Sequence, residues 1–211
     1  MTRLLVVLDV DSTLISQEAI ELLADEAGSR DLVAAITARA MAGEIDFAHS
    51  LADRVATLAG LDIAAFDRVA PRIELTRGAR ELVAKIHAAG GRVAVVSGGF
   101  HELLDPIARD LGLDAHRANR LAVADGRLTG NTSGPVIDAE AKAQALREWA
   151  HQFDVPLSHT VVVGDGANDL KMMALAGLSI AFDAQHVVRT AAHISLPERD
   201  LSAVLAVLGL R

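Results

Sequence analysis

The chain opens with an apolar run, Leu4, Leu5, Val6, Val7 and Leu8, that stops at Asp9, Val10, Asp11, Ser12 and Thr13. An unbroken Leu/Val run of this length predicts a strand buried on both faces, the kind found inside a parallel sheet. Between residues 15 and 75 the pattern changes: apolar positions recur at helical spacing and no strand period is present. Ile15, Ala19, Leu22, Leu23, Glu26 and Ala27 mark a first helix ended by Gly28. Residues 31–41 and 47–58 predict two more, separated by Gly43, and 61–69 a short fourth stopped by Pro71. A strand-to-strand crossover needs only about a dozen residues, so this stretch reads as an insertion.

Helix and strand then alternate. Residues 78–89 predict a helix closed by Gly90-Gly91, 92–96 a strand, 101–111 a helix, and 116–130 a hairpin turning at Asp125-Gly126. A helix over 138–152 carries Lys142, and a strand over 160–163 runs into Gly164-Asp165-Gly166-Ala167-Asn168-Asp169. A helix over 170–176, a strand over 178–182 and a further helix complete the chain. This alternation specifies a parallel sheet with helices on both faces. The expected fold is therefore α/β: a doubly wound, Rossmann-like parallel sheet core over 1–14 and 77–211, with a small inserted helical cap domain over 15–76.

Composition narrows the class. The 211 residues are 51% hydrophobic, enough for one good core and a modest insertion. A formal net charge of -8 without a Lys/Arg cluster argues against a nucleic-acid or anionic-membrane partner. The absence of cysteine excludes a disulfide scaffold and thiolate zinc sites and fits a reducing compartment. The N-terminal apolar run is too short for a signal peptide or a membrane span. The 8 histidines are scattered, with no pair at i, i+4 beside an acid, so no His-based metal site is expected. These features predict a soluble, cytoplasmic protein.

The candidate chemistry lies where the strands end. In extended chain Asp9 and Asp11 point the same way, and in open α/β sheets the carboxyl ends of the strands are where ligands bind. A helix-loop-helix calcium loop is excluded, because its required Gly and Glu positions hold Leu14 and Ile20. Ser97-Gly98-Gly99 and Asp165, Asn168 and Asp169 arrive at two further strand ends, and Lys142 lies between those groups in sequence. Taken singly, each has an ordinary use: a Ser cap, an Asp-Gly turn, a solvated lysine. Their joint placement at converging parallel strand ends gives them a shared one.

Phosphate monoester hydrolysis fits that use. It is among the slowest uncatalysed reactions, with enhancements up to ~10²¹, so a site must combine several effects. A carboxylate can attack phosphorus and form an acyl phosphate, and Asp9, first out of the strand, is the candidate nucleophile. Mg²⁺ held by Asp9 and Asp165 would neutralise the approach of anion to dianion. Lys142 adds a point charge, and Ser97 with the amides around Gly98 and Gly99 can cradle phosphate oxygens at a helix start. Asp11 can protonate the leaving oxygen and then activate water. Asp169 and Asn168 can orient Lys142 and the metal's waters. A dinucleotide fingerprint fails because Asp169 stands where Gly or Ala is needed, and neither a G-x-x-x-x-G-K-[ST] loop nor a G-x-S-x-G elbow is present.

DVDST, SGG with Ser97, Lys142 and GDGAND, in that order, resemble the four motifs of the haloacid dehalogenase superfamily of phosphatases. Within it the chain is similar to the phosphoserine phosphatases, through Glu18, the stretch GEIDFAHSLADRVATLAG, and NRLAVADGRLTG leading into DAEAKA. That resemblance implies hydrolysis of L-phosphoserine, a small-molecule substrate, in the last step of serine biosynthesis. It also implies Mg²⁺ bound by Asp9, Asp165 and the Asp11 backbone carbonyl, with Thr13 and Asp169 in support. Glu18 would bind the substrate ammonium, Arg54 its carboxylate, Met41 and Phe47 would close the pocket, and Asn168 would contact substrate. Thr76-Arg77-Gly78 replaces the Thr-Pro-Gly often found before the second core helix; this loop change leaves the chemistry alone. Some members carry an N-terminal regulatory domain; this chain starts at the first strand, so feedback through such a domain is not expected.

Two alternatives stand beside this reading. One is a relative acting on another small phosphomonoester, or transferring the phosphoryl group to an alcohol such as homoserine. The other is a receiver-type signalling module, which shares strand-end acids, a hydroxyl and a Lys but lacks a long insertion after the first strand. Monomer and homodimer are both compatible with the sequence.

Overall fold

The computed structural model describes residues 4–41 and 44–210; Gly43 and the side chain of Met41 lie outside the described residues. The strands are β1 (Leu5–Leu8), β2 (Arg92–Phe100), β3 (Ala115–Ala124), β4 (Arg127–Ser133), β5 (Thr160–Gly164), β6 (Leu178–Phe182) and β7 (Ile194–Leu196). The helices are α1 (Ala19–Ala27), α2 (Arg30–Met41), α3 (Phe47–Ala56), α4 (Ala65–Val69), α5 (Ala79–Ala88), α6 (His101–Leu111), α7 (Ala139–Gln152), α8 (Leu170–Met173), α9 (His186–Ala191) and α10 (Ser202–Val207).

One 7-stranded sheet runs β4-β3-β2-β1-β5-β6-β7. All neighbours are parallel except the β3/β4 hairpin. The apolar run of β1 sits at the centre because its residues serve two cores in alternation. Val6, Leu8, Val93, Val95, Val161 and Val163 join one core, with Leu82 of α5, Leu103 of α6 and Val204 of α10. Leu5, Val7, Ala94, Val96, Val162 and Ala181 join the other, with Leu146 of α7, Met172 of α8 and Val188 of α9. The period-2 alternation of a strand thus places helices on both faces, as expected for a doubly wound α/β fold. Among the described residues no helix is long and apolar enough to cross a membrane.

Several elements depart from the sequence expectation, each for a tertiary reason. The first helix starts at Ala19, because Ile15 is spent on an antiparallel bridge to Leu75. There the two passes of chain into and out of the helical group run side by side, with Ser16 N–H to Glu74 O at 2.9 Å and Thr76 N–H to Leu14 O at 2.9 Å. The third helix ends at Ala56 and the fourth begins only at Ala65. Residues between them hydrogen-bond the hairpin instead: Gly60 N–H to Leu128 O at 2.8 Å, Leu128 N–H to Leu61 O at 2.8 Å, and Ile63 N–H to Gly126 O at 3.1 Å. Pro71 does not stop the chain's coiling; a 3-10 turn over Ala70–Arg72 continues past it. The helix expected over 170–176 is only Leu170–Met173, preceded by a 3-10 turn over Ala167–Asp169. The short, half-buried edge strand β7 carries too little apolar pattern to be seen in sequence.

The most consequential departure is in β2. It was expected to end at Val96, but it continues through Ser97, Gly98 and Gly99 to Phe100. Val96 pairs with Arg117 and Phe100 with Asn119, so four steps on β2 oppose two on β3. Ser97-Gly98-Gly99 is therefore a bulge within a strand rather than the start of a helix, and bulges of this kind re-aim the chain toward a site.

Candidate active site

Asp9 continues the hydrogen bonding of β1, its N–H reaching Val163 O at 2.9 Å. A wide turn over Val10–Leu14 follows, closed by Ile15 N–H to Val10 O at 2.9 Å. Within it Ser12 takes the left-handed conformation, φ 56°. The turn separates the two acids, so the expectation that they lie side by side in extended chain is corrected. Asp9 goes to the buried floor. The carboxylate of Asp11 instead spans toward the helical group, accepting from Ala19 N–H at 2.7 Å and from the Ser97 hydroxyl at 2.8 Å.

The floor is an ion cluster. Lys142 on α7 is fully buried, with Nζ 2.7 Å from Asp9 Oδ1 and 2.8 Å from Asp169 Oδ1. Asp9 Oδ1 also accepts from Val10 N–H at 2.7 Å. Asp169 Oδ2 accepts from Gly166 N–H at 3.1 Å, which folds the GDGAND turn onto its own acid. Thr13 donates to Asp165 Oδ1 at 3.0 Å. Ligand oxygens of Asp9, Asp165 and Asp169 lie within 4.8 Å of one another. Burial pushes the Asp9 carboxyl well above its ordinary value, and Asp169 and Asp165 add to this while Lys142 opposes it. Burial, then Asp169, raises Asp165 to about 6, against the bond from Thr13. Burial alone would lower the Lys142 ammonium, but Asp169 and Asp9 outweigh it and its pKa is raised.

Those shifts are the test of whether a cation fits. Three hard-oxygen donors crowd one point, and the single buried lysine leaves two of them with raised pKa values. Lys142 and Gly166 take both oxygens of Asp169. Asp9 and Asp165 are therefore the pair with capacity left, and oxygen-rich, partly anionic sets of this kind suit Mg²⁺. The donors present fit the expected metal.

The rest of the cavity, about 850 Å³, is roofed by the helical group. Glu18, Ile20, Phe47 and Arg54 line it above, and Asp9, Asp11, Gly98, Gly99, Asp165 and Asn168 below. Glu18 precedes α1 without capping it; its carboxylate instead accepts from the Ser12 hydroxyl at 2.8 Å. Burial, then the charge of Asp11, raises Glu18 to about 7. Arg54, half-buried, donates through Nε to Ser50 O at 3.2 Å; burial lowers the guanidinium pKa, opposed by Glu18 and Asp11. A carboxylate and a guanidinium thus face one cavity beside the acids of the floor.

The two bulge glycines are needed for these approaches. A Cβ on Gly98 would stand 2.7 Å from the Phe47 ring, and one on Gly99 would stand 2.6 Å from Asp11 Oδ2. Ser97 is engaged on both sides: its hydroxyl donates to Asp11 and accepts from Gly99 N–H at 2.7 Å. Of the sequence-predicted residues, then, Asp9, Asp11, Glu18, Phe47, Arg54, Gly98, Gly99, Asp165 and Asn168 line one cavity. Ser97, Lys142, Asp169 and Thr13 brace it from behind.

Sequence reasoning missed three things. The Ser12 hydroxyl that holds Glu18 looked like an ordinary turn residue. Arg199 and Asp183 line the same cavity, and Arg199 meets Ser12 from 187 residues away, beyond any local signal. His101, Asp105 and His116 also cluster on the core, away from the cavity lining, although no His-based group was expected. There Ala118 N–H donates to His101 Nε2 at 3.1 Å, which leaves the ring proton on Nδ1, 2.6 Å from Asp105. A proton pointing at the carboxylate occupies the position a metal would need, so this cluster is a hydrogen-bonded brace between α6 and β3.

Comparison with known proteins follows the same lines. The family model described as haloacid dehalogenase-like hydrolase matches residues 6–174. A phosphoserine phosphatase of Mycobacterium tuberculosis is 50% identical over 209 residues, covering 99% of this chain and 51% of the relative. The chain spans about half the length of that relative. It spans 93% of a Lactococcus lactis phosphoserine phosphatase, to which it is 50% identical over 201 residues, or 95% of this chain. Among solved structures, a substrate-bound phosphoserine phosphatase complex superposes with a TM-score of 0.94 at 41% identity, covering 98% of this chain and 99% of that one. A phospho-aspartyl intermediate analogue of phosphoserine phosphatase gives 0.93 at 42% identity, with the same coverage.

Proposed function

The chain belongs to the haloacid dehalogenase-like hydrolases, and from that premise we propose that it hydrolyses L-phosphoserine to L-serine and phosphate through a phosphorylated Asp9. The observation that carries the substrate is the pairing of Glu18 and Arg54 in one cavity above Asp9. An amino acid bears an ammonium and a carboxylate, and these two side chains offer its complements. The names of the relatives and of the superposed structures support the same substrate.

The chain divides into a core of residues 1–14 and 77–211 and a helical cap of residues 15–76. The core does the chemistry and the cap reads the substrate. Lys142 and the Val10 amide hold the Asp9 carboxylate in place, so that it attacks phosphorus without paying for reorientation. The Gly98 amide of the bulge and the Asn168 side chain receive the phosphoryl oxygens, the Gly99 amide being spent on Ser97. Asp11, between Ser97 and the start of α1, gives a proton to the leaving serine oxygen and afterwards takes one from the water that opens the acyl phosphate. Asp9, Asp165 and the Asp11 backbone carbonyl hold Mg²⁺, which when bound supplies charge neutralisation and a fixed template for the phosphoryl group. Phe47 closes the cavity over the substrate and keeps water out of the first step. The enzyme works as a monomer or homodimer in the cytoplasm, without nucleic-acid or membrane partners.

The test is phosphate release from L-phosphoserine and a panel of other phosphomonoesters, with Mg²⁺ and with chelator. Metal-dependent preference for L-phosphoserine is the expected result. Broad activity or another preferred ester would retain Asp9 and remove the Glu18/Arg54 assignment. Adding homoserine and looking for its phosphate ester separates hydrolysis from transfer.

A further inference from the structure

Among the described residues, four other than glycine have a left-handed backbone: Ser12 (φ 56°), Asp125 (φ 50°), Asp154 (φ 53°) and Asp183 (φ 42°). Two have local reasons. Asp125 is in the two-residue hairpin turn, and Asp154 follows the end of α7, its N–H closing on His151 O at 3.2 Å. Ser12 and Asp183 have none of these; they stand at the ends of β1 and β6, on the rim of the cavity. Such conformations persist only where surrounding structure over-determines them.

One side chain touches both. Arg199 donates through Nη2 to Ser12 O at 2.9 Å and to Ser16 O at 3.4 Å, and its Nε lies 3.5 Å from Asp183. The same short segment, between β7 and α10, holds the returning pass of chain. Leu201 N–H bonds Arg77 O at 2.8 Å, and Arg77 Nε pairs with Asp200 at 3.1 Å. The turn that Arg199 grips is the one that aims Asp11 at Ser97 and Ser12 at Glu18. With Nη2 and Nε committed to the protein, Arg199 is placed to shape the site rather than to bind its ligand.

We propose that Arg199 is a positioning residue for the hydrolysis: it locks the turn over Val10–Leu14 in its left-handed form and so sets the Asp11 carboxylate in working geometry. The inference rests on the phosphomonoester reading above only for the choice of substrate. The test compares Arg199→Ala, Arg199→Lys, Ser12→Gly and the Arg199→Ala/Ser12→Gly double variant.

On L-phosphoserine and on p-nitrophenyl phosphate, Arg199→Ala lowers kcat about 10-fold with KM within about twofold, because a displaced catalytic group costs rate rather than affinity. Arg199→Lys recovers part of the loss, since an ammonium can reach one of the two carbonyls. In the Ser12→Gly background the Arg199→Ala effect shrinks to roughly threefold or less, because glycine holds positive φ without help. A KM increase confined to L-phosphoserine makes Arg199 a substrate ligand and overturns the proposal. So do equal effects in the two backgrounds.

A second measurement needs no substrate. Amide hydrogen exchange over residues 12–17 is faster in Arg199→Ala while β1 and β5 keep their protection; unchanged exchange overturns the proposal. If the parent protein leaves L-phosphoserine intact, the substrate reading fails, and the exchange arm still decides the role of Arg199.

Discussion

Replacing Lys142 by methionine reads the floor of the site most directly. Lys142 is fully buried between two carboxylates, 2.7 Å from Asp9 and 2.8 Å from Asp169. Methionine keeps most of the apolar stem and deletes the ammonium. Removing one partner of a buried ion pair costs about 3–5 kcal/mol, because the remaining charge is stranded. Here two are stranded, but the cost is bounded, since Asp9 takes up a proton instead of staying charged. A chain of this size loses ~2–4 °C per kcal/mol, so Tm should fall by roughly 6–20 °C near neutral pH. The pH dependence has a definite sign. Burial, then Asp169, raises the folded pKa of Asp9 above its unfolded value. Its unfavourable contribution is therefore absent below the unfolded value and grows as the pH rises through the folded one. Without Lys142 that window widens upward. The gap between variant and parent should be small near pH 5 and large near pH 8. The assay is thermal unfolding followed by circular dichroism in chelator, which keeps a metal ion from replacing the lysine. Adding Asp169→Asn to the variant should recover half or more of the loss. A Tm change below roughly 3 °C at pH 8, or a gap that widens on acidification, would refute the reasoning.

Asp9→Asn should remove turnover by roughly 10⁴-fold or more, as loss of a covalent nucleophile does, while unfolding stays cooperative; near-parent rates would end the nucleophile assignment. Arg54→Ala should raise KM for L-phosphoserine by about 10- to 100-fold, the worth of a charge-assisted hydrogen bond, and spare an ester without a carboxylate; equal loss on both would make Arg54 structural. Gly99→Ala puts a Cβ 2.6 Å from Asp11 Oδ2, so kcat should drop about 10-fold or more with Tm changed by only a few degrees; unaltered kcat would mean Asp11 is not the acid. Chelator should abolish activity, and Mg²⁺ affinity, followed by calorimetry, should weaken as the pH falls through about 6, where Asp165 gains its proton; pH-independent affinity between about 5 and 8 would exclude Asp165 as a ligand.

Much of the fold was legible because β1, β2, β5 and β6 are apolar on both faces and the helices between them carry a helical period. The site was legible where chemistry-bearing residues sit at strand ends, as with Asp9, Asp165 and Asp169. What sequence could not show came from contacts between distant segments. Ile15 belongs to a bridge with Leu75 rather than to α1, and Gly60 to Ile63 are paired to a hairpin almost seventy positions on, which local periodicity does not register. The Ser97-Gly98-Gly99 stretch carries ordinary turn composition, so only the pairing of Phe100 with Asn119 reveals it as a bulge. The two acids of DVD were expected side by side, and the turn that begins at Val10, between them, is what sends them apart.

On the proposed mechanism, the separation of those acids explains how one fold would run opposite tasks with like groups. Asp9 is crowded by Asp169 and Asp165 and steadied by one buried lysine, so its charge is supported only while cations surround it. Asp11 is outside that cluster, held by the α1 amide of Ala19 and by Ser97, where a leaving oxygen would emerge. Glu18 adds a third environment, buried and raised to about 7 by desolvation, then by Asp11. In an empty cavity near neutral pH it is partly protonated. An ammonium entering beside it favours the carboxylate, and that gain is available only to a substrate with a positive charge at that place. An ester without the ammonium meets a group that remains partly neutral and gains little. On the proposed reading, selectivity would come from the cost of charging a buried acid, which the substrate's own amine offsets, while Arg54, charged throughout, would meet the carboxylate as a ready cation.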